Sequence, residues 1–356
     1  MSRVRPLPAL LLALCSCVPI ASAHAAAAAN AGEVEMSREV LASIQLAQQY
    51  LASRQRADGS FTGANGEGSG IIGAAVLAWT VSGSLPGEGP FGPQVARGVD
   101  WILSSAQPSG LLFRGQHDRH VMYHHGLATL ALAEVWGQTQ DKRLCDRLKK
   151  AVELTVRCQN EAGGWRYQPR IERDADLSVT VIELLALRAA RDAGIAVPRE
   201  TVERAVRFVE SCGCQEGNTG VFNGFAYQPG QGRKWSTTGA GVMSLMLCGQ
   251  YKVERFKPAL DFLLTTREQG ADNQWFVYGN YYATQAMYQA GGQGESYRGY
   301  WLKWYPSIAK ALLARQAKTG PERGHFECDQ EYGVWGTAMC VLILGLPCRY
   351  LPVYQR

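Results

Sequence analysis

The sequence has no apolar run long enough to cross a membrane, which takes roughly 20 residues. Its nearest approach, "VWGTAMCVLILGLPC", is interrupted by Gly336 and Gly345 and stopped by Pro347, and reads as a buried helix. Charge of one sign is lacking too: 36 Lys and Arg face 31 Asp and Glu, a net charge of +5. No basic cluster follows the spacing of a nucleic-acid backbone, so nucleic acid is excluded as a partner. No linker marks a second domain. Histidine is scarce, with six in 356 residues. Four of them, His117, His120, His124 and His125, crowd into the one stretch "GQHDRHVMYHHG".

The first residues, "MSRVRPLPALLLALCSCVPIASAHA", carry Arg3 and Arg5 before an apolar run from Leu7 to Val18 and then Ala21-Ser22-Ala23. That layout predicts a Sec-type signal peptide over residues 1–25 and an exported protein, periplasmic or secreted. Residues 26–356 would then be a single domain. Ten cysteines include Cys15 and Cys17, which leave with the signal. The others, Cys145, Cys158, Cys212, Cys214, Cys248, Cys328, Cys340 and Cys348, can pair in an oxidising compartment, in a pattern that spacing does not reveal.

What the chain does have is a repeat of about 50 residues. Gln55, Gly59 and Phe61 recur as Gln107, Gly110 and Phe113, as Gln159, Gly163 and Trp165, and as Gln215, Gly220 and Phe222. A degenerate copy follows near "TTREQGADNQWF", then Gln316, Gly320 and Phe326. Each copy pairs two helices. The first is amphipathic: in "TVERAVRFVES" an apolar stripe of Val202, Val206 and Val209 is predicted, with Glu203, Arg204 and Arg207 outside. The second, as in "GLATLALAEVWG" or "TTGAGVMSLMLCG", is apolar nearly all round and must be buried on every side. Six such pairs predict an all-α protein, an (α/α)6 toroid with an inner ring of apolar helices inside an outer amphipathic ring.

The Gln-x3-Gly-x-aromatic pattern resembles the QW-type repeat of squalene cyclases and of protein-prenyltransferase β subunits. "MYHHGLATLALAEVWG", "SVTVIELLALRAARDAG" and "LPCRYLPVYQR" resemble exported bacterial prenyltransferase/squalene-oxidase repeat proteins. The resemblance covers essentially the whole predicted domain. It implies the terpenoid cyclase-type toroid, and with it an apolar, isoprenoid-like ligand in a central cavity. A noncatalytic toroid that binds a protein or peptide is the alternative, as is a metal-dependent enzyme centred on His117–His125.

In a toroid of this kind the loop after each repeat aromatic and the first turn of the next inner helix converge on one rim. The predicted rim comprises residues 62–71, 114–125, 166–178, 223–238, 276–282 and 325–335. His117, His120 and His124 have the spacing of imidazole ligands on one helical face, and His124 and His125 could serve as acid–base groups in a first helical turn. Prenyltransferases use Asp, Cys and His for zinc at this rim. Here "HFECDQEY" offers Cys328 and Asp329, but adjacent rather than one residue apart, so a divalent metal is not favoured. Squalene-type cyclases protonate an alkene with the central carboxyl of D-x-D-D. Asp174 and Asp176 match its first and third positions, and Leu177 replaces the fourth. The plainer expectation is that Asp176 caps the helix beginning at Leu177. Rim aromatics expected to hold a ligand are Tyr123, Tyr167, Trp235, Tyr278, Tyr281, Tyr282, Tyr332 and Trp335, and "WRYQP" and "FAYQP" repeat one aromatic-x-Tyr-Gln-Pro turn.

Overall fold

The computed structural model describes residues 36–61, 68–114, 119–215, 217, 219–266, 275–328, 333–348 and 350–354. The described helices are α1 (Arg38–Arg54), α2 (Ser69–Thr80), α3 (Gly92–Ser104), α4 (Val121–Thr139), α5 (Lys142–Cys158), α6 (Leu177–Asp192), α7 (Arg199–Ser211), α8 (Trp235–Leu247), α9 (Lys257–Thr265), α10 (Phe276–Gly291), α11 (Glu295–Arg315) and α12 (Gly333–Gly345). The even-numbered helices close a ring: α2 packs on α4, α4 on α6, α6 on α8, α8 on α10, α10 on α12, and α12 back on α2. The odd-numbered helices lie outside, each against one or two inner helices. The fold is the double-ringed α/α toroid. Among the described residues, no helix is long and apolar enough to cross a membrane.

Burial follows the two kinds of sequence pattern. Every residue of α2 is buried, and so is every residue of α12 from Gly336 to Gly345. Helix α5 buries only Leu144, Leu148, Ala151, Val152, Leu154, Thr155 and Cys158, leaving its charged side in water. In α7 the seam differs from the predicted valine stripe. Ala205, Phe208 and Val209 are buried, while Val202 and Val206 are half-exposed. Phe208 turns the helix this way, because its ring packs where Gly164 has no side chain. A short antiparallel sheet joins α7 to α8, with β1 (Gly213–Gln215), β2 (Phe222–Ala226) and β3 (Arg233–Lys234) in that order.

The repeat glutamines act as fasteners between neighbouring units. Gln159 Nε2 donates to Gly163 O of its own turn (2.8 Å) and to Thr201 O at the start of the next outer helix (2.9 Å). Gln55 does the same with Gly59 O and Gln94 O. Gln316 donates to Gly324 O and to Ser43 O, tying the last unit to the first. The turn glycine is equally determined. Gly163 has φ +95°, and a Cβ there would lie 2.3 Å from Arg204 O. In the last unit the glycine in this role is Gly324 (φ +97°, 2.4 Å from Leu46 O), not Gly320, which has open space around it. The aligned motif is therefore Gly324-x-Phe326, with the same spacing as Gly59-x-Phe61. Gln107 and Gln215 are exposed and, among the described residues, fasten no neighbour: Gln107 donates to Phe113 O, and Gln215 accepts from Gly220 N–H.

Candidate functional site

The inner helices α4 and α6 carry their N-terminal ends to one mouth of the ring. The two aromatic-x-Tyr-Gln-Pro turns are stitched there by backbone bonds. Met122 N–H at the start of α4 donates to Tyr167 O (3.0 Å), and Leu177 N–H at the start of α6 donates to Tyr227 O (2.9 Å). Each turn is thus held by the inner helix of the preceding unit. This brings the Tyr167 and Tyr227 hydroxyls into a short hydrogen bond with one another.

Asp176 sits at the centre of this arrangement. It is fully buried and is the N-cap of α6, its Oδ1 accepting from Val179 N–H at 2.9 Å and from the Ser178 hydroxyl. Its Oδ2 pairs with Arg166 at 3.0 Å. Arg166 also donates to Tyr227 Oη (3.2 Å), lies over the Tyr167 and Tyr227 rings, and reaches Asp174 at 3.6 Å. Burial pushes the Asp176 carboxyl up, while Ser178, Val179, Arg166 and Tyr227 oppose that shift. Asp174 is exposed and accepts from Gln228 Nε2 at 3.1 Å.

Tyrosines complete the mouth. Tyr123 stands in the first turn of α4, and Ser178 opposes the rise of its pKa. Tyr278 and Tyr282 of α10 meet edge to face with ring centroids 4.9 Å apart. Helices α4 and α10 stand opposite one another in the six-membered ring. Tyr278 is in the first turn of α10, and Tyr123 adds to the rise of its pKa. Burial raises the Tyr123, Tyr278 and Tyr282 hydroxyls well above the usual phenol range. The Tyr278 hydroxyl is buried and has no hydrogen-bond partner among the described residues.

The other predicted site residues separate into rim and wall. His120 is exposed, and its ring meets the Tyr167 ring edge to face at 5.0 Å. His124 is half-buried, its Nδ1 accepting from Gly70 N–H at 3.2 Å and its ring 5.3 Å from that of Phe113. His125 does not reach the mouth. It is fully buried in the wall, with Nδ1 accepting from Leu112 N–H (3.1 Å) and Nε2 facing Ala151 O and Thr155 Oγ1 (3.2 and 3.0 Å). Burial pushes its pKa down to about 4, so both nitrogens serve as neutral structural partners. Trp235 is also in the wall, stacked on Trp304 with Nε1 donating to Leu263 O. Tyr281 is buried beside Tyr282. Trp335 is half-buried in the first turn of α12. His117, Asp329 and Tyr332 lie outside the described residues. Among the described residues, no three His, Cys, Asp or Glu side chains converge as a metal site. Cys328 instead lies 3.3 Å from Cys340, sulfur to sulfur.

Arg166 and Ser178 were not singled out from the sequence. The signal for Arg166 was its position inside the repeated turn, where "FAYQP" has Ala226 in its place.

No protein family's sequence model matches the chain, and no curated protein does. Solved structures match the fold. An inactive variant of the GH76A α-1,6-mannanase of Salegentibacter sp. HEL1_6, in complex with α-1,6-mannotriose, superposes with a TM-score of 0.62 at 9% identity, covering 87% of this chain and 99% of that one. A glycoside hydrolase family 76 mannosidase from Bacteroides thetaiotaomicron gives a TM-score of 0.57 at 12% identity, covering 88% and 98%. The type II terpene cyclase MstE from Scytonema gives 0.53 at 13%, covering 88% and 100%. At these identities the likeness is one of fold, and fold leaves function to be argued from the site.

Proposed function

We propose that the protein binds a polyhydroxylated ligand, a short oligosaccharide, in the tyrosine-lined mouth around Asp176. The buried Tyr278 hydroxyl, without a hydrogen-bond partner among the described residues, carries this reading. An isoprenoid seated there would leave that hydroxyl without a partner, at a cost of about 1–3 kcal/mol for a buried group left unpaired. A sugar hydroxyl supplies the missing partner, and a sugar ring face packs on tyrosine. The toroids with α-1,6-mannanase and mannosidase activity are consistent with it but do not carry it. Export by the predicted signal peptide would place the protein where polysaccharide is met.

A second reading keeps acid-initiated, cyclase-like chemistry at Asp176. The observation in its favour is a carboxyl pushed up by burial beside an exposed second aspartate. Against it stand the Val179 N–H, the Ser178 hydroxyl and Arg166, all of which stabilise the ionised form.

Isothermal titration of the whole protein against linear oligosaccharides, α-1,6-mannotriose among them, and against farnesol separates the readings. The expected result is sugar binding that Tyr278→Phe weakens about 5–13-fold, the worth of one hydrogen bond of roughly 1–1.5 kcal/mol. Farnesol binding that Tyr278→Phe leaves unchanged would return the ligand to the isoprenoid class. Turnover of a polyprenyl substrate abolished by Asp176→Asn would establish the cyclase. Binding of neither probe would leave the protein- or peptide-binding toroid.

A further inference from the structure

The geometry points to a redox site at the sixth rim loop. We propose that Cys328 and Cys340 form a disulfide by exchange with an external disulfide, stapling that loop to inner helix α12. The pairing rests on the placement of both cysteines and is independent of the ligand reading above.

The Sγ atoms are 3.3 Å apart, about 1.3 Å beyond a disulfide bond of ~2.05 Å. Side-chain rotation can close such a gap, because the two backbones are already held in register. Phe326 N–H donates to Thr337 Oγ1 at 3.2 Å, and Glu327 N–H donates to Arg315 O at 3.0 Å. Thr337 and Cys340 are three apart on α12 and share one face. Cys328 is two residues beyond Phe326, and its sulfur already faces that of Cys340. The Cys328 carbonyl lies over Gly336, 3.5 Å from where a Cβ would stand. The anchors at Phe326–Thr337 thus direct Cys328 onto Cys340.

Exposure sets the order of events. Cys328 is half-exposed and Cys340 is fully buried. The Cys328 thiol loses its proton to solvent and its sulfur attacks the external disulfide, releasing one thiolate and leaving a mixed disulfide on Cys328. The Cys340 thiol then loses its proton, and its sulfur displaces the second external thiolate from Cys328. One S–S bond is broken and one formed. The two electrons leave on the external sulfurs, which take up the two protons.

The test is a peptide map of the full chain after equilibration with oxidised glutathione, alkylated without reduction. The expected product is a linked peptide joining Cys328 to Cys340, two hydrogens lighter than the pair of thiols. It is accompanied by a melting temperature several degrees above that of the reduced protein. Cys328→Ser should remove both the linked peptide and the response to reductant. Alkyl label on both cysteines, or either one linked to a different partner such as Cys348, would overturn the assignment. The wild-type map decides this even where the variant does not fold.

Discussion

At the scale of single residues, Asp176 joins two demands in one side chain. It ends the exposed backbone of α6 and it holds Arg166 between two tyrosines. Asp176→Ala should remove a helix cap and leave Arg166 without its buried partner. The expected loss is about 2–3 kcal/mol, below that of a fully buried pair because Arg166 keeps some exposure, and urea unfolding measures it. A second carboxyl, Glu183, is enclosed in the wall. His125 Nε2–H meets Thr155 Oγ1, and the Thr155 hydroxyl donates to Glu183 Oε2 at 3.0 Å. Burial pushes Glu183 up to about 8 from the usual 4.5. The folded protein keeps this proton across the interval in which the unfolded chain releases it. The stability it contributes is therefore whole below about pH 4.5 and is lost as pH rises towards 8. Glu183→Gln should flatten the fall in melting temperature across that window, leaving the parallel contribution of Glu134, which burial also pushes up to about 8. An unchanged pH profile would show that Glu183 is ionised in the folded protein.

Between neighbouring elements, the repeat turn matters more than helix propensity. Gly163 meets two requirements together, a positive φ and contact with a carbonyl of the next outer helix. Gly163→Ala should cost more than the roughly 1 kcal/mol of an ordinary glycine replacement, since Arg204 O leaves no room for a Cβ. Gly320→Ala meets only the backbone strain of φ +77° in open space. Its smaller loss, compared by chemical denaturation, would confirm Gly324 as the equivalent turn residue. The motif was legible as a repeat, but its alignment in the last unit was not. The longer loop there put two glycines within reach of the glutamine, and only contact with Leu46 distinguishes them. The α7 stripe misled for a similar reason. Both valines suit an apolar face, but the gap at Gly164 selects the face carrying Phe208.

For the whole molecule, ring closure is a specific contact as well as a consequence of shape. Gln316 bonds Ser43 O and accepts from the Ser43 hydroxyl across 273 residues of sequence. Gln316→Ala should take the side-chain partner from Gly324 O and from the Ser43 hydroxyl and open the seam between first and last units. Hydrogen exchange should then accelerate in α1 and α11, with α5 and α6 retaining their protection; uniform acceleration would mean that closure is shared around the ring. Tyr123 and Tyr278 belong to helices on opposite sides of the ring, so the distance between them depends on this closure.

The sequence alone determined the helix pairs, their number and which member of each pair is inside, because burial on one side or on all sides leaves its own hydrophobic period. Tyr123, Tyr167, Asp174, Asp176, Tyr278 and Tyr282 all come from predicted rim segments, as do His125 and Trp235, which the fold places in the wall. The tertiary structure decided which members of that set meet. Adjacent His124 and His125 part company because successive helical positions point about 100° apart, one towards Gly70 and the other into the wall beneath Leu112. The partnership of Arg166 with Asp176 depends on a loop folded back onto a helix cap. The approach of Cys328 to Cys340 depends on the bond from Phe326 N–H to Thr337 that ties the loop to α12. Such contacts are set by where elements dock, and no local period in the chain encodes docking.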